Sequence, residues 1–88
     1  MSFYYVYILE TIGSNGKGTF YTGYTNNLER RLSEHKKGKG ARFCRGKTVE
    51  LKYFETFTKR DEAMRRELEI KTFTRKKKIE LINLLQNS

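Results

Sequence analysis

Seven consecutive β-favouring residues, Phe3-Tyr4-Tyr5-Val6-Tyr7-Ile8-Leu9, stand near the start of the chain with no alternation of polar and apolar positions. Such a run predicts a central strand covered on both faces. The turn-rich segment Gly13-Ser14-Asn15-Gly16-Lys17-Gly18 follows, and its Asn-Gly pair suits a hairpin turn. Residues 19–24 then read as the returning strand, an antiparallel neighbour of the first. Asn26 is placed to cap a helix, with Glu29 as its capping-box partner. That helix runs to about Lys37, and Gly38 ends it. Residues 38–47 form a loop with four basic residues and no acid, and residues 49–57 a third strand. Thr58 with Asp61 opens a second helix over residues 61–71. Phe73-Thr74 breaks its pattern, and Ile79, Ile82 and Leu85 mark a final short helix. The order β-β-α-β-α-α describes an α/β fold of the α+β kind: a small three-stranded, mainly antiparallel sheet flanked by helices. At this length the reading is one domain, residues 1–88.

Two of the helices carry charge where periodicity asks for carbon. In the second, Ala63, Met64, Leu68 and Ile70 are the apolar positions. At about 100° per residue they span an arc from about −20° to 140°, and Glu67 falls inside it at about 40°. A carboxylate facing a core must be paired, protonated or bound to a cation, which makes Glu67 a site candidate. The structural alternative is a salt bridge to Lys71, one turn on. In the first helix Leu28, Arg31, Leu32 and His35 form one stripe at i, i+3, i+4 and i+7. Glu29, Arg30, Ser33, Glu34 and Lys36 already supply the solvated face, so Arg31 and His35 point toward the sheet. Their structural alternatives are a snorkelling arginine and a satisfied core histidine. Tyr5 and Tyr7 share one strand face, and Tyr21 lies on the neighbouring strand. Most tyrosines in a small sheet are packing. A phenol beside Arg31 would have its pKa lowered from about 10, fitting it to act as a base or charge relay.

Charge then narrows the partner. Nineteen Lys and Arg oppose ten Asp and Glu, a net +9, and the pI is near 9.9. That balance is the electrostatic footprint of a nucleic-acid binder. Lys36, Lys37, Lys39, Arg42, Arg45 and Lys47 bracket the first helix's end and the loop beyond it. Arg75-Lys76-Lys77-Lys78 is a second cluster and more readily a solvated face. Contact with about six phosphates would make affinity fall ~10³ or more from low to moderate salt. No base-reading pattern is visible. No basic amphipathic helix with exposed aromatics points to a membrane, and residues 3–9 are too short to span one. The lone Cys44 forms no internal disulfide, which fits a reducing, cytoplasmic compartment. Arg42 and Arg45 would lower its thiol pKa, but a lone cysteine is more often incidental. No Cys/His cluster offers a zinc site.

Tyr5-Val6-Tyr7, Tyr21-Thr22-Gly23, Asn27-Leu28-Glu29-Arg30-Arg31 and then Glu67 occur in an order and spacing that resembles the GIY-YIG nuclease family. The likeness is greatest to its small stand-alone bacterial members and covers about residues 3–85. Tyr5 stands where the first motif has glycine, Val6 and Thr22 at the isoleucine positions, and Tyr24 where many members have lysine. The resemblance implies metal-dependent hydrolysis of DNA phosphodiesters, structure-selective and tied to repair or processing. It implies Tyr7 as the base, Arg31 on the scissile phosphate, and His35 and Tyr21 orienting water or phosphate. Gly23 would allow close packing, and Glu67 would bind a single Mg²⁺ or Mn²⁺. The additional targeting domain of most characterised members is missing, so a protein partner would supply selectivity. The alternatives are a non-catalytic nucleic-acid-binding module of the same fold, or a scaffold docked on RNA or a repair complex.

Overall fold

The structure, a computed structural model, describes residues 2–37 and 48–86. The expected Gly38 helix stop, the 38–47 loop and Cys44 lie outside the described residues. Strands β1 (Tyr4–Ile12), β2 (Gly18–Thr25) and β3 (Thr48–Phe57) and helices α1 (Leu28–Lys36), α2 (Arg60–Lys71) and α3 (Arg75–Gln86) follow the predicted order β-β-α-β-α-α. The sheet is antiparallel with strand order β2-β1-β3. The continuous apolar run is therefore the middle strand. Val6, Tyr7, Ile8 and Leu9 are each no more than 1% exposed.

β1 starts one residue later than predicted and runs on through Ile12. Glu10 is accommodated there because Lys52 of β3 reaches it at 3.7 Å. The hairpin turns through Gly13–Gly16, closed by Gly16 N–H on the Gly13 carbonyl at 3.0 Å. Gly16 is at φ 78°, where a Cβ is strained. Asn15 does not share the positive φ, so this is a longer turn ended by glycine, not the two-residue Asn-Gly type. α1 is capped by Asn27, whose Oδ1 accepts from the Arg30 backbone N–H at 3.0 Å, not by Asn26. The shift has a local cause. The Thr25 hydroxyl accepts from the Asn27 backbone N–H at 3.1 Å, spending Asn26 in the turn and leaving Glu29 out of capping-box register. α2 opens at Lys59 without a side-chain cap, so Thr58 does not play that part. α3 is a 12-residue helix whose first turn is the basic cluster. Thr74 Oγ1 accepts from the Lys77 N–H at 3.2 Å to start it.

The two faces of the sheet carry separate cores. Val6 and Ile8 pack with Ala63 and Ile70 of α2 and Ile82 of α3. Tyr7 and Leu9 pack with Val49 and, from α1, Leu28 and Leu32. Register shifts between Ile8 and Leu9 against β3: Ile8 pairs Tyr53, whereas Leu9 pairs Leu51. Lys52 is thus an extra residue, a bulge that re-phases β3. It lets both Phe54 and Leu51 lie on the α1 face, opposite Tyr7 and Leu9. The cue in the sequence is the slip from Val49-x-Leu51-x-Tyr53 to the adjacent Phe54.

α2 corrects the wheel drawn for it. Ala63 and Ile70 are fully buried, but Met64 is 40% and Leu68 63% exposed. The inward stripe is Ala63, Arg66, Glu67 and Ile70, spaced i, i+3, i+4 and i+7, with the two charged residues half-buried. In α3 likewise Ile82 is buried, whereas Ile79 is 38% and Leu85 41% exposed.

Candidate active site

Pairing of Tyr7 with Gly23 and Leu9 with Tyr21 puts both phenols on the α1 face. Gly23 is there because of Tyr7. A Cβ at position 23 would lie 2.6 Å from the Tyr7 hydroxyl and 2.8 Å from Cζ. The phenol thus crosses the edge strand where that strand has no side chain. The α1 stripe meets it from above. His35, fully buried, places Nε2 2.9 Å from the Tyr7 hydroxyl. The Tyr21 ring stands edge-on to the imidazole with centroids 5.3 Å apart, and the Tyr7 ring at 5.8 Å. Arg31 lies beside the same phenol and gives Nη1 to Glu34 at 3.1 Å. Tyr7, Tyr21, Arg31, His35 and Gly23 are therefore one cluster.

Burial pushes the Tyr7 phenol up to about 12, and the charges of Tyr21 and Glu67 add to this against the opposing pull of Arg31. The expected lowering by Arg31 is outweighed by loss of water around the ring. Burial, then the Arg31 charge, hold His35 below its ordinary value, with Glu34 opposing. At neutral pH the phenol and the imidazole are both uncharged, and the imidazole tautomer decides which of them donates.

Glu67 lies on α2, which packs on the opposite face of the sheet, and its charge adds slightly to the rise of the Tyr7 pKa. Its side chain is 15% exposed and pairs with Lys71 at 3.6 Å, so the ion pair offered as the structural alternative is present. Lys71 is itself 49% exposed, and a pair this open is worth about 0–1 kcal/mol. The rotation of α2 has a firmer cause in Arg66, the preceding residue. Its guanidinium holds Glu55 of β3 with Nε at 3.0 Å and Nη2 at 2.9 Å, and also bonds Glu69. Tyr53 donates to the same Glu55 carboxylate. Burial works to raise the Glu55 pKa, but Arg66 and Tyr53 together bring it below the usual range. This clamp was missed in the sequence, although Arg66 stands three residues after Ala63 on the inward stripe.

The basic clusters divide. Lys36 and Lys37 are exposed at the end of α1. Lys39, Arg42, Arg45 and Lys47 lie outside the described residues. In the second cluster Arg75 sits 4.7 Å from the Phe20 ring centroid and donates to the Gly18 carbonyl, and Lys77 covers Phe73 at 4.9 Å. These cations have structural contacts. No described helix is long and apolar enough to cross a membrane.

The fold agrees with the comparisons. A UPF0213 protein of Haloquadratum walsbyi is 48% identical over 80 residues, 90% of this chain and 85% of that protein. A UPF0213 protein of Staphylococcus haemolyticus is 45% identical over 83 residues, 93% of this chain and 96% of the other. The solution NMR structure of a UPF0213 protein from Bacillus halodurans matches with a TM-score of 0.55 at 42% identity, covering 93% of this chain and 84% of that one. Residues 3–80 match the GIY-YIG catalytic domain. The chain belongs to the GIY-YIG nuclease family.

Proposed function

We propose that this protein is a divalent-metal-dependent endonuclease that hydrolyses DNA phosphodiester bonds, is selective for DNA structure more than sequence, and serves repair or processing. One observation carries the reading: a phenol bonded at 2.9 Å to a buried imidazole, with a guanidinium beside it. This grouping is costly to bury and is explained by chemistry on a phosphate better than by packing.

The donor set suits a single hard cation. Among the described residues no three His, Cys, Asp or Glu side chains gather to hold a metal. Glu67 offers one carboxylate whose present partner is a loose, half-exposed lysine. One carboxylate completed by water and phosphate oxygens is the usual environment of Mg²⁺, and Mn²⁺ takes similar oxygen ligands. When bound, such an ion supplies charge stabilisation at the departing 3′ oxygen. The chain's own residues do the rest. Tyr7 takes a proton from water while passing its own to His35 Nε2, so no phenolate is required. Arg31 neutralises the scissile phosphate through its planar fork. Tyr21 holds the imidazole edge-on, and Gly23 keeps the space that the phenol fills. Lys36 and Lys37 extend positive charge along the backbone path, and a protein partner supplies targeting.

The test is nicking of branched and plain DNA with Mg²⁺ or Mn²⁺ by the wild type and Glu67→Gln. Cleavage by the wild type and a loss of about 10²-fold or more in the variant are expected. Equal residual nicking in both would overturn the metal role of Glu67.

A further inference from the structure

Beside the catalytic cluster, at the ends of β1 and β2, a hollow of ≈ 520 Å³ is lined by Tyr4, Tyr24, Thr25, Asn26, Arg31 and Arg60. Two guanidiniums and no carboxylate are among these lining residues. Arg31 joins the hollow to the Tyr7 phenol. Arg60 comes from the other face of the sheet, at the start of α2, and donates Nη2 to the Tyr24 hydroxyl at 3.3 Å.

Arg60 stands apart from the other described arginines of α1 and α2 that hold an acid. Arg31 pairs with Glu34, Arg65 with Asp61, and Arg66 with Glu55. Among the described residues no carboxylate lies at ion-pair distance from Arg60, and its position is set by a neutral hydroxyl instead. A guanidinium has five N–H donors in a rigid plane. One is spent on Tyr24, which leaves an oriented fork facing a polar, acid-free hollow. A planar fork of this kind matches the oxygens of a phosphate. A DNA backbone carries a phosphate at every nucleotide, so a strand with one phosphate at Arg31 offers the next to a cation in the same hollow.

We propose that Arg60, oriented by Tyr24, forms a second phosphate-binding subsite that seats the backbone phosphodiester neighbouring the scissile one. The proposal rests on the nucleic-acid substrate of the reading above, and deepens it by fixing the line that the strand takes across the site. Arg60 is a binding residue here and Tyr24 its positioning residue.

The experiment measures binding without turnover. Fluorescence anisotropy of a labelled branched DNA is followed in chelator-containing buffer over a salt series, for the wild type, Arg60→Ala, Arg60→Lys and Arg65→Ala. Arg65 lies on the same helix, so its loss is the charge-matched control. Arg60→Ala should bind about tenfold more weakly and lower the salt slope by about 0.9, the value for one phosphate. Arg60→Lys should recover part of the affinity, and Arg65→Ala should change it no more than about twofold by long-range charge alone. A scan with single uncharged methylphosphonate linkages should find one position where the wild type loses affinity and Arg60→Ala does not. Thermal unfolding of each variant separates a folding defect from a binding one. Equal losses in Arg60→Ala and Arg65→Ala, or a methylphosphonate profile unchanged by Arg60→Ala, would overturn the subsite. Nicking measured separately with Mg²⁺ or Mn²⁺ keeps the two readings apart. Arg60-dependent binding without cleavage removes the nuclease and leaves the subsite. Cleavage with Arg60-independent binding removes the subsite and leaves the nuclease.

Discussion

The two faces of the sheet are built from one four-residue run and do different work. Val6 and Ile8 look toward α2 and α3, where the buried hydrophobic cluster is aliphatic and half-buried aromatic rings pack around it. Tyr7 and Leu9 look toward α1, where the burial includes a phenol and an imidazole bonded to each other. Burying aliphatic carbon stabilises a fold without further conditions, at about 25 cal/mol per Å². Burying a hydroxyl and a ring nitrogen stabilises only while each satisfies the other. The α2–α3 face is therefore the part that holds the chain folded. The α1 face holds the phenol, imidazole and guanidinium on which the proposed chemistry rests.

If that division is right, substitutions on the two faces separate rate from stability. Tyr7→Phe keeps the ring but removes the hydroxyl. It should lower DNA nicking by about 10²–10⁴-fold, the range for a positioned proton-transfer group. Its cost in urea unfolding should be about 1–3 kcal/mol, because the buried pair loses one member. Ile82→Ala empties a buried site on α3 and should cost about 2–5 kcal/mol. Its rate per folded molecule should stay near wild type, because Ile82 belongs to the core on the face away from Tyr7 and His35. A large stability loss in Tyr7→Phe with undiminished nicking would dissolve the comparison.

The same division explains what could be read from sequence. A strand buried on both faces must be apolar throughout, so β1 announced itself as central. The α1 stripe was legible because Leu28 and Leu32 fix the phase and leave Arg31 and His35 nowhere else to point. In α2 the phase was misread. Met64 and Leu68 look like core residues, yet the small Ala63 and Ile70 face the sheet, and Arg66 and Glu67 complete the stripe. An apolar residue in water costs little, whereas a half-buried arginine is decided by a partner on another strand, Glu55, which periodicity does not see. The Lys52 bulge and the Asn27 cap were hidden for the same reason. Each is settled by pairing or by a hydroxyl one turn away, not by the pattern of hydrophobicity.

Acid should expose the α1 face first. His35 is held below the ordinary imidazole value of 6.5 mainly by burial and then by Arg31. The unfolded chain takes up this proton near pH 6.5, and the folded chain only at lower pH. Stability linked to His35 is therefore complete above 6.5 and is lost as pH falls through and below it. A protonated imidazole also accepts nothing from Tyr7, so nicking per folded molecule should decline only at a pH below about 6.5, after the loss of stability has begun. With Tyr7 pushed up to about 12, no gain from phenolate should appear between pH 7 and 10. A rate that climbs steadily across that interval would mean the phenolate is the working form and would remove His35 as proton acceptor. Unfolding of His35→Gln should lose the wild-type pH dependence near 6.5.

The smallest expected effect sharpens the contrast from the aliphatic side. Thr22 pairs with Ile8 on the α2–α3 face and is 3% exposed. Its Oγ1 is buried with no hydrogen-bond partner. A buried hydroxyl without a partner carries a desolvation cost that nothing there offsets. Thr22→Val keeps the branched shape and the strand preference while removing that oxygen. It should raise stability by about 1 kcal/mol, read as a shift in the urea midpoint at constant slope. Tyr21 and Gly23 on either side point to the opposite face, so nicking should not change. A destabilised Thr22→Val would show that the hydroxyl has a partner in solution and that polar satisfaction governs both faces of the sheet.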